Sequence, residues 1–167
     1  EGGTDLVASS FICLDRLVIE IRGTPPLDRE ADAVASSVGR FATFHDPSTS
    51  GLVCSLLVRE SAKVRRRALA LRTQGGRLAA QMDDGPDSVT IKDMVALKAR
   101  IRDLDEVVDE QLAILTLLKV VQTPLLDLVK LTNVFQVAIS NTESSEASVD
   151  RLDRLAGDLQ GRYDAHQ

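Results

Sequence analysis

The sequence predicts a mainly α fold with an α+β remnant at its start: long antiparallel helices, a terminal stalk helix and a small N-terminal β-hairpin. Three observations lead there. Across residues 88–122, Met94, Leu97, Ile101, Leu104, Val108, Gln111, Leu115 and Leu118 recur in alternating steps of three and four. That is the heptad seam of a helix packing lengthwise against others. Hydrophobic residues make up 44% of the chain and aromatic ones only 3%, so Leu, Val, Ile and Ala must fill the core, which suits helices better than a sandwich. The same spacing recurs on both sides of the central stretch. The 167 residues are enough for one domain with a sizeable core.

The chain starts differently. Phe11-Ile-Cys-Leu and Leu17-Val-Ile-Glu-Ile are β-rich runs separated by Asp15-Arg16, a hairpin pattern. A two-stranded hairpin is marginal alone, so it needs a larger sheet or helices to lie on. Gly23-Thr24-Pro25-Pro26 breaks the chain, and residues 27–44 read as a short helix with Ala31, Val34, Val38 and Phe41 on one face. Asp28 and Glu30 near its start complement the helix dipole. Residues 1–46 are thus a hairpin plus short helix, the remnant of an α/β subdomain, and residues 47–167 a long-helix bundle.

After a loop at His45-Asp-Pro, Ser50 is a suitable N-cap for the first long helix. Val53, Leu57, Val64, Ala68, Leu71, Leu78 and Met82 form its stripe, up to Asp83-Asp84-Gly-Pro. Gly75-Gly76 inside it costs about 1 kcal/mol per Gly relative to Ala. The pair marks either a close approach or flexing of the helix, or else a tolerated weak point. Asp87 or Ser88 caps the central helix, giving an antiparallel helical hairpin. Ile91, Val107, Leu112, Ile114, Leu117 and Val121 widen its stripe, predicting neighbours on more than one side.

Thr123-Pro124 ends or kinks that helix, Thr being a good N-cap and Pro favoured at the first helical position. Residues 125–139 read as helical and largely buried, and Ser140-Asn-Thr-Glu143 as a second break with a capping box. Val149, Leu152, Ala156, Leu159 and Tyr163 then resume the seam, with Asp150, Arg151, Asp153, Arg154, Asp158 and Arg162 around it. So narrow a seam suits a stalk among like neighbours in an oligomer.

Charge and composition exclude several classes. Twenty-five acidic against twenty basic residues give a net charge of −5, which argues against a general nucleic-acid binder. Cys13 and Cys54 are too few for a disulfide framework or zinc site, and are expected to be buried reduced thiols in a cytosolic setting. No apolar run reaches the length of a membrane span, the best, residues 112–118, being cut off by Lys119. Glu1-Gly-Gly-Thr-Asp is no signal peptide. The first residue is not Met and the last helical pattern reaches Gln167 without a stop signal, so both ends are expected to be cuts through a longer protein.

No catalytic constellation is visible, the two histidines being His45 in a loop and His166 near the end, so enzymatic activity is not expected. Gly75-Gly76 has neither the preceding strand nor the following Lys-Ser/Thr of a phosphate loop. Lys63, Arg65, Arg66, Arg67, Arg72 and Arg77 form a basic run. It is either a surface for phospholipid headgroups or an acidic partner helix, or a solvated face paired with Asp103, Asp105, Glu106, Asp109 and Glu110 on the next helix. Glu143, Glu146, Asp150 and Asp153 recur at steps of three and four, an acidic stripe beside the seam. Glu143, Glu146 and Asp150 are the candidate ligands for a divalent cation such as Mg2+, held through oxygen directly or through water. The other reading is a solvated edge neutralised by Arg151 and Arg154.

The order of elements resembles the cytosolic part of the CorA family of divalent-cation transporters. Phe11-Ile-Cys-Leu-Asp-Arg-Leu-Val-Ile-Glu-Ile-Arg22 looks like that family's last sheet strands. Leu97-Lys-Ala-Arg-Ile-Arg-Asp-Leu104 resembles its second long helix, and Val149-Asp-Arg-Leu-Asp-Arg-Leu-Ala-Gly-Asp-Leu-Gln-Gly-Arg-Tyr-Asp164 its third. In the family this last segment leads into the first membrane helix and its Gly-Met-Asn signature. The resemblance implies a homopentameric magnesium channel in the cell membrane, with this part in the cytoplasm and the last helix lining a central funnel. It also implies inter-subunit cation sites that hold the channel closed. Aligned on Phe135 and Tyr163, the regulatory carboxylate two residues after the aromatic falls on Val137, so such a site here would use other acids, among them Glu143, Glu146 or Asp150. A coiled-coil scaffold without ion function and a zinc transporter of the same architecture are the alternatives.

Overall fold

A computed structural model describes residues 9–14, 17–22, 48–85, 88–121 and 124–166. The predicted short helix over 27–44, the Gly23–Pro26 break, the His45 loop, the Asp15-Arg16 turn and the caps at Asp87 and Thr123 lie outside the described residues. Among the described residues the chain is mainly helical, with a small antiparallel hairpin before three long helices, as the periodicity predicts. Contacts divide it into two compact units, Glu1–Leu56 with Gln122–Thr132, and Leu57–Val121 with Asn133–Gln167.

In the first unit β1 (Ser9–Leu14) pairs with β2 (Leu17–Arg22), with Ser10 opposite Ile21, Ile12 opposite Ile19 and Leu14 opposite Leu17. This register gathers Ile12, Leu14, Leu17, Ile19 and Ile21 on one face. The helix α1 (Thr49–Asp84) begins here. Its cap is Ser48 rather than Ser50: the Ser48 hydroxyl accepts the Gly51 N–H at 3.1 Å. Ser50 is buried in the first turn, and its hydroxyl accepts the Asp127 N–H at 2.8 Å. Thr49 Oγ1 donates to the Leu14 carbonyl at 3.3 Å, joining the helix start to the hairpin. Pro124 to Leu131 is not helical, against expectation, because the Asp127 N–H is taken by Ser50 instead of a helical carbonyl. Nor is this stretch largely buried, Val129 being 85% exposed.

The second unit is a three-helix bundle of α1, α2 (Ile91–Val120) and α3 (Thr132–His166). Ser88 does not open α2: its hydroxyl donates to the carbonyls of Gln81 and Gly85 and so closes α1. The cap is Thr90, in a reciprocal box with Asp93. Contacts fix the directions. Arg100 donates to Gln74 across the α1–α2 turn at 3.0 Å. Asn141 reaches Ser61 and Arg162 reaches Asp83, two pairs that advance together, so α3 runs parallel to α1 and antiparallel to α2.

The predicted seams form one core. Met94, Leu97, Ile101, Leu104 and Val108 of α2 pack with Val64, Ala68, Leu78 and Met82 of α1 and with Val149, Leu152, Ala156 and Leu159 of α3. The expected widening of the α2 stripe is overturned. Ile91, Ile114, Leu117 and Val121 are exposed, with Leu117 at 59%, and only Val107 and Leu112 are half-buried. Among the described residues, the two other helices lie on one side of α2 and leave its far side exposed.

The predicted break at 140–143 is also absent, and α3 is continuous for 35 residues. Thr142, Ser145 and Ser148 each donate a hydroxyl proton to the carbonyl four residues earlier, at 3.0, 2.8 and 2.7 Å. Residues that often leave a helix are thus satisfied inside it. Thr142 also meets half-buried Gln111, whose Oε1 lies 3.4 Å from Thr142 Oγ1, and the neighbouring Asn141 donates to buried Ser61 at 3.3 Å. Gly75 is buried under Leu155, whereas Gly76 has nothing within 4 Å of where a Cβ would stand.

Candidate functional site

The acidic stripe of α3 is built by its seam. Val149 and Leu152 are buried, so Asp150 and Asp153, each one residue on, stand at the rim of the packed face. Glu143 and Glu146 are exposed two turns and one turn before Asp150, the first about 10 Å away along the axis. On α2, Leu104 and Val108 place Asp105 and Asp109 in the same way.

The antiparallel packing of α2 and α3 brings these rims together. The Asp105 carboxyl is pushed above the ordinary aspartate range by burial first, then by the charges of Asp109, Asp150 and Asp153. Of the predicted ligands, Asp150 is thus one of the charges that act on Asp105 from across the helix pair, while Glu143 and Glu146 stand further along α3. Asp105 and Asp109 are new members of the candidate site. Their signal was present in sequence, each following a seam residue, but which helix they would meet was not.

Neither predicted neutralising arginine pairs with the stripe among the described residues. Arg154 Nε donates instead to the backbone carbonyl of Asp150 at 3.1 Å. Among the described residues, no group of three or more His, Cys, Asp and Glu side chains is placed to hold a metal ion. Among the described residues, Asp105 thus stands near like charges without a closed set of ligands.

The basic run takes the exposed side of α1. Arg65, Arg66, Arg72 and Arg77 are exposed and Arg67 half-buried. Arg65 Nη1 donates to Asn141 Oδ1 at 3.3 Å. The predicted pairs with Asp103, Asp105, Glu106, Asp109 and Glu110 do not form among the described residues: ion pairing in this unit goes through Arg59 and Lys63 to Glu60 and Arg162 to Asp83. Cys54 is fully buried and Cys13 half-buried, its thiol pushed up by burial, and neither is in a disulfide. His45 lies outside the described residues.

No helix among the described residues is long and apolar enough to cross a membrane. No protein-family model, curated protein or solved structure matches the chain.

Proposed function

We propose that this chain is the cytosolic gating domain of a CorA-like divalent-cation transporter, with Mg2+ as the cation. The observation that carries the reading is the order and direction of the elements: a hairpin, two long antiparallel helices, then a continuous 35-residue helix parallel to the first with an acidic rim. The intact protein would be a homo-oligomer, a pentamer by the resemblance, entering the cell membrane through segments beyond Gln167. It would have no nucleic-acid partner and no catalytic step.

The mechanism follows from the repulsion at the rim. Burial and the charges of Asp109, Asp150 and Asp153 disfavour the Asp105 anion, and a hard cation bound through these carboxylate oxygens would relieve that. Further ligands would come from Glu143 or Glu146 of a neighbour, or from water. Cations would thereby favour a symmetric, closed arrangement of the α3 helices, and their loss would let the helices splay.

Measuring oligomeric state and melting temperature with and without Mg2+ tests this. The expected result is a higher melting temperature and a larger assembly with the ion; no change in either removes the regulatory role. A coiled-coil scaffold without ion function is the second reading, which the heptad seams support equally well. Mg2+ transport by the intact protein would rule that out. Transport of zinc instead would assign the other transporter class, although this chain is poor in the imidazole and thiolate ligands such metals prefer.

A further inference from the structure

We propose that the outer face of α1 docks against the outer face of α2 of a second copy of this chain. Residues 61–82 contain no Asp or Glu. On the solvent side of α1, Leu69, Thr73, Gly76 and Ala80 follow one another at steps of four, three and four, forming one narrow stripe. It lies opposite the packed side, since Thr73 stands two residues from both Leu71 and Gly75. Leu69 is 50% exposed, and nothing stands within 4 Å of a Cβ at Gly76. Helical geometry puts Arg65 and Arg72 along one border of this low strip and Arg66 and Arg77 along the other.

The outer face of α2 is its counterpart. Asp103, Glu106 and Glu110 are exposed, and Glu106 stands two residues from both Leu104 and Val108, opposite the seam. Exposed Val95 and Leu117 lie on the same side, before and after the acids. Among the described residues none of these three acids has an ion-pair partner within the chain. One molecule thus carries a basic and a mainly acidic helical face, the latter with Arg102 among its acids, each with exposed aliphatic side chains and neither neutralised by an ion pair among the described residues. A second copy supplies both complements, with arginine forks to seat the carboxylates. Pairing unlike faces, the contact either forms twice about a two-fold axis or runs head to tail and closes into a ring when its rotation allows.

The inference rests on reading the chain as part of a homo-oligomer, and its test separates the two. Sedimentation equilibrium of the whole 167-residue chain at low and high salt would be compared for wild type, Arg66→Glu with Arg77→Glu, Glu106→Arg with Glu110→Arg, and all four changes together. We expect association that weakens with salt, a loss of about tenfold or more in each double variant, and recovery when the two double variants are mixed or the four changes combined. All four side chains are exposed, so melting temperatures should stay close to wild type and confirm folding. Association indifferent to the swaps overturns the interface and leaves the oligomer standing. A monomeric wild type at low salt overturns the interface, while the Mg2+ dependence of melting tests the transporter reading on its own. Binding to phosphatidylserine vesicles that Arg66→Glu with Arg77→Glu abolishes, with association unchanged, would assign the basic face to lipid and likewise overturn it.

Discussion

Gly75 lies so close beneath Leu155 that a Cβ on it would stand 2.8 Å from Leu155 Cδ2. A side chain at the first of the two glycines would thus push on the tip of Leu155, and one at the second would meet nothing. Gly75→Ala should gain less than the roughly 1 kcal/mol helix advantage of Ala, because the tip of Leu155 must shift to admit the Cβ. Gly76→Ala should stabilise it by up to about 1 kcal/mol. Urea unfolding compares the two variants, and adding Leu155→Ala should remove most of the difference between them.

Gln111 and Thr142 interrupt an otherwise apolar seam with a side-chain contact between α2 and α3. Thr142→Val alone should cost about 1 kcal/mol, because Gln111 loses its partner in a half-buried place. Joined with Gln111→Leu, the change should be close to neutral or stabilising. The double variant should also lose uniqueness of helix pairing, visible as broadened NMR resonances in α3, since a polar seam residue fixes register at some cost in stability.

The Thr90–Asp93 box gives a pH dependence. Hydrogen bonds from the Thr90 hydroxyl and then the Thr90 N–H hold the Asp93 carboxyl below its ordinary range. The unfolded chain therefore binds this proton more tightly than the folded one. The contribution is present above the unfolded pKa and is lost as pH falls through the depressed folded value. Thr90→Ala should cost about 1 kcal/mol near neutral pH, and the gap from wild type should shrink in acid. Thermal melts across pH measure it.

Asp105 has the opposite sign. Its folded pKa is raised, so the native state holds the proton more tightly, and the anion weakens folding above that value, an effect fading as pH falls through it. Asp105→Asn should raise stability at neutral pH by roughly 0.2–0.5 kcal/mol, the size of one i,i+4 like-charge pair with Asp109. In acid the gain should vanish. If Mg2+ binds at this rim, saturating ion should also erase the gain, which calorimetry with and without the ion would reveal.

Leu152 anchors α3 in the shared core and is fully buried. Leu152→Ala should cost about 2–5 kcal/mol, whereas Leu117→Ala on the uncovered side of α2 should cost little in the isolated copy. Chemical denaturation distinguishes them. A large effect of Leu117→Ala confined to concentrations where the chain associates would mark that side as an interface.

Local pattern alone determined the hairpin, the three helices and their buried stripes, because side-chain periods of two and about three and a half residues report which face of an element leaves water. Tertiary structure decided the rest. Thr142, Ser145 and Ser148 look like a break in sequence, yet they sit in a continuous helix by returning their hydroxyls to its own carbonyls. Ser50 looks like a cap but is spent on Asp127, and its loss from that role ends the helical reading of the segment after Pro124. The apolar side of α2 looks like core, yet two neighbours cannot surround a helix. Most relevant to function, Asp105 and Asp150 are 45 residues apart and converge only through the antiparallel register of α2 and α3. That register is set by packing between helices, a long-range property that no single stripe contains.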